Sequence, residues 1–72
     1  NCSAESAWSI EVRNHKDEDV RVEIREPAGG DWKIINSSHK PERDDAHNFH
    51  FEVPVPKHGK AQLAYTLRVR WC

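Results

Sequence analysis

No charge of either sign dominates this chain. Eleven lysines and arginines stand against twelve aspartates and glutamates in 72 residues, a formal net charge of −1. A nucleic-acid binder would normally gather its basic residues into a patch or stripe, so that class is set aside. Long hydrophobic runs are missing as well. None approaches the roughly 20 apolar residues of a transmembrane helix, so no membrane insertion is expected. Nothing reads as a signal peptide, a low-complexity tract or a convincing internal repeat.

Cysteine is scarce. Cys2 and Cys72 stand almost at the two ends, with no Cys-x-x-Cys pair and no metal-site spacing. An oxidised pair suits an extracellular or envelope location. Joined within one chain, the two close nearly the whole sequence into a loop, worth about 4 kcal/mol on the chain-entropy model. That is large for a single domain this short, which hides only about 60% of its unfolded surface. The other readings are a bridge between chains, or two free thiols.

What the chain does have is alternation. In residues 62–71, Leu63, Tyr65, Leu67, Val69 and Trp71 fall at every second position, with Ala64, Thr66, Arg68 and Arg70 between them. A strand sends successive side chains to opposite faces, so this segment has one apolar wall and one wet wall. The same pattern predicts strands over 8–13 (Trp8, Ile10 and Val12 inward), 20–26 (Val20, Val22 and Ile24 inward) and 48–55 (Phe49, Phe51, Val53 and Val55 inward). A less regular strand covers 32–38, where Ile35 breaks the phase set by Trp32 and Ile34; a bulge at Ile34–Ile35 accounts for it, as do apolar contacts on both faces. Glu11 and Arg13 are expected to pair with the charges of 20–26 across a wet face.

Polar turns separate these segments: 14–19, then 27–31, where glycines are free to take positive φ, and 56–60. Residues 39–47 form the longest polar gap, the place where the chain would cross from one sheet to the other. Residues 1–7 read as a polar lead-in or short edge segment, and 8–72 as a single domain. The expected fold is all-β, a small antiparallel β-sandwich of about five strands. Pro54 cannot donate to a ladder, which places that end of its strand at a sheet edge and makes it a candidate interface residue.

Five strands that reverse each time leave the first and the last running the same way. Cys2 and Cys72 then sit at opposite ends of a stack about 20 Å long, far beyond disulfide reach. An internal bridge needs residues 1–7 to fold back, or the 39–47 gap to cross between ends as well as sheets. A bridge between neighbouring chains needs neither.

The segments IEVRNHKDEDVRVEIREP, GDWKI, SSH, FEVPVP and LRVRW resemble a bacterial domain-of-unknown-function family at the C-terminal end of mucoidy-inhibitor-type and related envelope proteins. The resemblance spans residues 8–71. Its most specific parts are the Asn14-His15-Lys16-Asp17 turn and the stretch from Arg25-Glu26-Pro27 to Gly30-Asp31-Trp32. It implies an immunoglobulin-like sandwich and a non-catalytic role with no established ligand. Family members carry further strands upstream, which this chain lacks, so the resemblance implies an incomplete edge. Such an edge recruits strands. A neighbouring copy could pair there or donate residues 1–7, head to tail, locked by a Cys2–Cys72 bridge.

Histidine is the one enriched reactive residue: His15, His39, His47, His50 and His58. His39, His47 and His50, helped by Asp44 and Asp45, are candidate ligands for zinc or another transition metal. Solvated loop histidines are the plainer reading, since no known ligand spacing occurs. Asp17-Glu18-Asp19 and Asp44-Asp45 lack the graded spacing of a calcium loop and read as turn solvation. Ser37, Ser38 and His39 lack any glycine-rich elbow, and no catalytic residue is assigned. Trp8, Trp32 and Trp71 are expected to pack inward, with Trp71 able instead to anchor a neighbouring subunit. The function expected is therefore that of a structural or interaction module of an envelope or extracellular protein, non-enzymatic and without a cofactor. Its partners would be proteins, other copies of itself included. The alternative is a metal-binding module using the loop histidines.

Overall fold

A computed structural model describes residues 2–72 and is all-β. Its six strands are β1 (Ser3–Arg13), β2 (Val20–Pro27), β3 (Asp31–Ser37), β4 (Pro41–Asp45), β5 (Asn48–Val55) and β6 (Lys60–Arg70). They form two antiparallel sheets of three, ordered β1-β6-β3 and β2-β5-β4. The chain changes sheet at every connection except the β4–β5 hairpin. Residues 38–40 do carry it from one sheet to the other, as the polar gap suggested.

The core lies where the two central strands face each other. Phe49, Phe51, Val53 and Val55 of β5 and Leu63 and Tyr65 of β6 are buried, together with Trp32 and Ala28. Strict alternation in both strands puts these residues on one wall and His50, Glu52, Pro54, Gln62 and Ala64 on the other. Burying each large side chain is worth about 1.5–3 kcal/mol, so these two strands contribute most of the favourable term. Their rings interlock: Phe49 meets Tyr65 edge-on at 5.8 Å, Phe51 lies 5.1 Å from Tyr65, and Trp32 tilts over Phe49 at 5.0 Å. The Trp32 indole N–H donates to Ala46 O at 2.9 Å, so its polar tip is not stranded.

Two sequence expectations are sharpened here, and together. Of the two readings of residues 1–7, the edge segment holds for 3–7: they belong to β1, which pairs with β6 without interruption from Ser3↔Arg70 to Arg13↔Lys60. Asn1 of that predicted segment lies outside the described residues. The polar gap also contains a strand, β4, whose hydrophilic composition hid it because it is a short edge strand exposed on nearly all sides. Six strands rather than five, and so five reversals rather than four, make the first and last strands antiparallel neighbours. Cys2 and Cys72 therefore meet at one end, with Cα atoms 5.5 Å apart, and form a disulfide within the chain.

Three smaller points follow from topology. Ile35 is the extra residue of a bulge between Ile34 and Asn36, as its broken phase predicted. Glu11 and Arg13 do not meet the charges of β2, because β1 and β2 lie in different sheets; they pair with each other at 2.7 Å. Trp8 does not pack into the core and is 53% exposed. It belongs to an edge strand, and no strand lies beyond it.

The end of the molecule opposite the disulfide is tied by Asn14, 5% exposed. Its side-chain amide donates to Glu18 O, Val55 O and Pro56 O at 2.8–3.2 Å, while its Oδ1 accepts from Lys16 N–H at 2.9 Å. One side chain thus satisfies both inter-sheet turns. Gly59 beside it has no room for a side chain, since a Cβ there would stand 2.7 Å from Pro56 Cγ.

Two outcomes are expected. Reducing the disulfide should lower unfolding free energy by about 4 kcal/mol, read as a shift in urea midpoint with and without reductant. Asn14→Ala leaves buried carbonyls unpaired and should cost about 1–3 kcal/mol by the same measurement.

Candidate interaction surface

Four strand edges face solvent: β1 and β3 flank one sheet, β2 and β4 the other. Exposed edges invite pairing unless something blunts them. β3 carries the Ile35 bulge. β4 is five residues long, opens with Pro41 and is bulged at Asp44. β2 is regular but ends in Pro27. β1 is the exception. It runs 11 residues with no proline and no bulge, and residues 4–9 are exposed on both faces.

The hydrogen-bond phase of β1 is set at its two ends. Trp71 N–H donates to Cys2 O at 2.9 Å, and Asn14 N–H donates to Gly59 O at 2.9 Å. Antiparallel ladders alternate bonded and non-bonded pairs, so the even-numbered residues of β1 direct their backbone groups at β6. The N–H and C=O groups of Glu5, Ala7, Ser9, Glu11 and Arg13 then point away from the sheet. The even-numbered side chains lie on the core side, where Ile10 and Val12 are half-buried and Trp8 stands exposed beside them. Its indole N–H reaches only Ser6 Oγ, at 3.2 Å. The odd-numbered side chains lie on the outer face. There Glu5 accepts two hydrogen bonds from Arg68 at 2.7 and 3.0 Å, and Ser9 Oγ accepts one from Gln62.

This outer face continues into a groove of about 510 Å³ lined by Ser3, Glu5, Asp31, Trp32, Lys33, Arg68 and Arg70. Register explains the grouping, since Ser3, Arg70 and Asp31 form one row across the sheet and Glu5, Arg68 and Lys33 the next. Arg43 of β4 lies on the open side of the sandwich next to β3, 4.1 Å above the Trp32 ring.

The three candidate metal ligands do not converge. His39 precedes β4 and bonds Ser38 Oγ at 2.7 Å, while His47 sits in the hairpin turn beyond the other end of β4. His50 lies on the outer face of β5, with Nδ1 at 2.6 Å from Asp44 Oδ1. β4 lies between His39 and His47, and His50 stands opposite Glu42 with its ring against Asp44. Among the described residues no group of three His, Cys, Asp or Glu side chains is arranged to hold a metal ion. Asp44 is instead the bulged residue of β4. It reaches across to His50 and to Arg25, whose Nε is 3.7 Å away, and stitches the three strands of its sheet.

Two acidic residues of the 14–19 turn, Asp17 and Asp19, tie it to residues 57 and 58. Asp19 Oδ1 accepts from Lys57 N–H at 2.9 Å, and Asp17 Oδ1 lies 2.6 Å from His58 Nε2. Trp71 follows β6 and is 60% exposed beside the disulfide. Pro54 lies on a central strand rather than an edge strand. Its expected edge is nonetheless local: β4 pairs with β5 only as far as Phe51, so β5 lacks a neighbour on that side at Pro54.

Sequence reasoning places Ser9 on the wet face of the first strand but passes over Glu5 and Ala7, whose signal is faint, since small and polar residues without periodicity resemble a tail. The available clue was the pairing of Cys2 with Cys72, which within the chain needs residues 1–7 to fold back or the 39–47 gap to cross between ends; the second brings residues 3–7 alongside the last strand. No protein-family model matches the chain, and neither does any curated protein or solved structure. Among the described residues no helix is long and apolar enough to cross a membrane.

Titration is shifted at three groups. Arg13 hydrogen-bonds Glu11 and holds its carboxyl below the ordinary value. Burial, then the nearby Glu26 charge, pushes the Tyr65 hydroxyl up. The His47 backbone N–H, then the Asn48 amide, hold Asp45 below its ordinary 3.8. A depressed carboxyl contributes stability that is full above its unfolded pKa and lost as pH falls through the folded one. Melting temperature should therefore drop in acid, below about pH 4, and Asp45→Asn, which keeps an acceptor but cannot titrate, should flatten that slope. Glu11 contributes in the same sense.

Proposed function

We propose that this domain is a non-catalytic interaction module that works by adding a strand to the open edge of β1, other copies of the chain being its partners. The observation that carries this reading is the edge itself: 11 regular residues with outward backbone groups, and Trp8 exposed on the core side. Main-chain hydrogen bonds supply affinity in such an addition, and pockets for alternate side chains supply selectivity. Tryptophan is a frequent anchor of interfaces, so its exposure beside Ile10 and Val12 fits a docking strip better than a solvated surface. Trp71 and Pro54 offer secondary contacts.

The cysteines narrow the manner of assembly. Each is joined to the other, so neither offers a thiol to a neighbouring copy, and the association is non-covalent and edge to edge. The disulfide fits an extracellular or envelope setting, where an oxidised pair persists. The resemblance to the C-terminal domains of envelope proteins supports the same setting and an immunoglobulin-like grouping of the sandwich.

The mass of the oxidised chain by analytical ultracentrifugation should rise between micromolar and millimolar concentration. Ala7→Pro removes one outward donor and none from the β1–β6 ladder, so it should fold and remain monomeric. A wild-type chain that stays monomeric throughout removes self-association from this reading.

A further inference from the structure

The charge pattern along β1 selects a partner strand and its register. An added strand must align its own bonding groups with the outward groups of Glu5, Ala7, Ser9, Glu11 and Arg13. When the added strand is a second antiparallel β1, only registers that pair odd residues with odd residues satisfy this. Centring the pair on Trp8 uses the full strand but sets Glu5 against Glu11 twice, and like charges directly opposite are destabilising. Centring it on Ser9 sets Glu5 against Arg13 at both ends, Ala7 against Glu11, and Ser9 against itself. On the core side the same register lays Trp8 across from Ile10 of the second copy, and Ser6 across from Val12.

We infer that the chain forms a two-fold symmetric dimer through antiparallel β1–β1 pairing centred on Ser9, joining two three-stranded sheets into one of six. This rests on the edge-pairing reading above and specifies its partner and geometry. The interface is isologous: each copy presents the same strip and closes the other's edge, so assembly stops at two rather than running head to tail. Side-chain geometry is ready for it. Glu5 already lies beside Arg68, and a facing Arg13 would complete a cationic clamp on both sides of that carboxylate. Arg13 gives its Nε to Glu11 and has its terminal nitrogens to spare. Trp8, half exposed in the single chain, would be covered by an aliphatic neighbour, the aromatic–β-branched pairing that stabilises adjacent strands.

A charge exchange tests the register. Glu5→Arg places like charges opposite each other at both ends of the dimer, and so does Arg13→Glu. Each variant alone should dimerise about tenfold more weakly than wild type. An equimolar mixture of the two should recover dimer, because each copy then meets its opposite at one end and the original pair at the other. The double variant Glu5→Arg/Arg13→Glu should also recover it. Circular dichroism and melting of each single variant show that the monomer is folded. Amide exchange gives a second reading: the Ala7, Ser9 and Glu11 N–H groups should slow as concentration rises in wild type. If the chain associates but the mixture recovers nothing and these amides exchange freely, the β1 register is overturned while the interaction-module reading stands. A chain that is monomeric at millimolar concentration overturns the dimer and removes self-association from the interaction-module reading as well.

Discussion

Everything in this fold hangs on two central strands turning their apolar walls toward each other. β5 and β6 each lie in the middle of a sheet, and the rings of Phe49, Phe51 and Tyr65 interlock between them. The remaining strands attach by hydrogen bonding to one of these two and cover the flanks with half-buried valines and isoleucines. The consequence is a narrow, elongated body, 48 Å along its longest axis and 14 Å along its shortest. A core one strand wide on each side has little area to spare, which is why the end fastenings matter. Asn14 ties the turns at one end and the disulfide closes the other.

The disulfide also shapes the surface. By joining the two ends of the chain it holds β1 against β6 to its first residue, although Ser3, Ala4, Glu5, Ser6 and Ala7 have weak strand propensity and bury little. The result is an edge that is straight, long and regular without being hydrophobic. Charges on its outer face weigh against particular registers, such as the one centred on Trp8 that sets Glu5 against Glu11. They favour the few partners whose charges alternate in the complementary order. The edge is thereby selective rather than closed.

The opposite flank is handled differently. β4 is short, begins at a proline and spends its bulged Asp44 on holding His50 and Arg25. Its neighbour β3 is bulged at Ile35, and Arg43 roofs the Trp32 ring between them. Proline, bulge and fixed charge each spoil a ladder, so this flank offers little to an incoming strand. Two flanks of one small sandwich, one blunted and one kept regular, give the molecule a direction for recognition.

Period-two alternation determined most of the fold by itself. Residues 20–26, 48–55 and 62–70 stand where their patterns put them, because a face that must be buried admits one phase of a strand and no other. The Ile35 bulge was legible for the same reason, as a break in that phase. Local composition could not show β4 or the first half of β1. Both are edge segments exposed on two faces, so burial imposes no pattern on them and only pairing with a neighbour makes them strands. Strand number decides parity, and parity decides whether Cys2 meets Cys72. The same dependence governs the candidate surface: Trp8 reads as core in sequence and is exposed because it falls on an outermost strand. His39, His47 and His50 are close in sequence, yet β4 lies between His39 and His47, and His50 is engaged by Asp44. Which strand is central and which is an edge is a property of the assembled sheet, set by contacts between distant residues, and only the tertiary structure decides it.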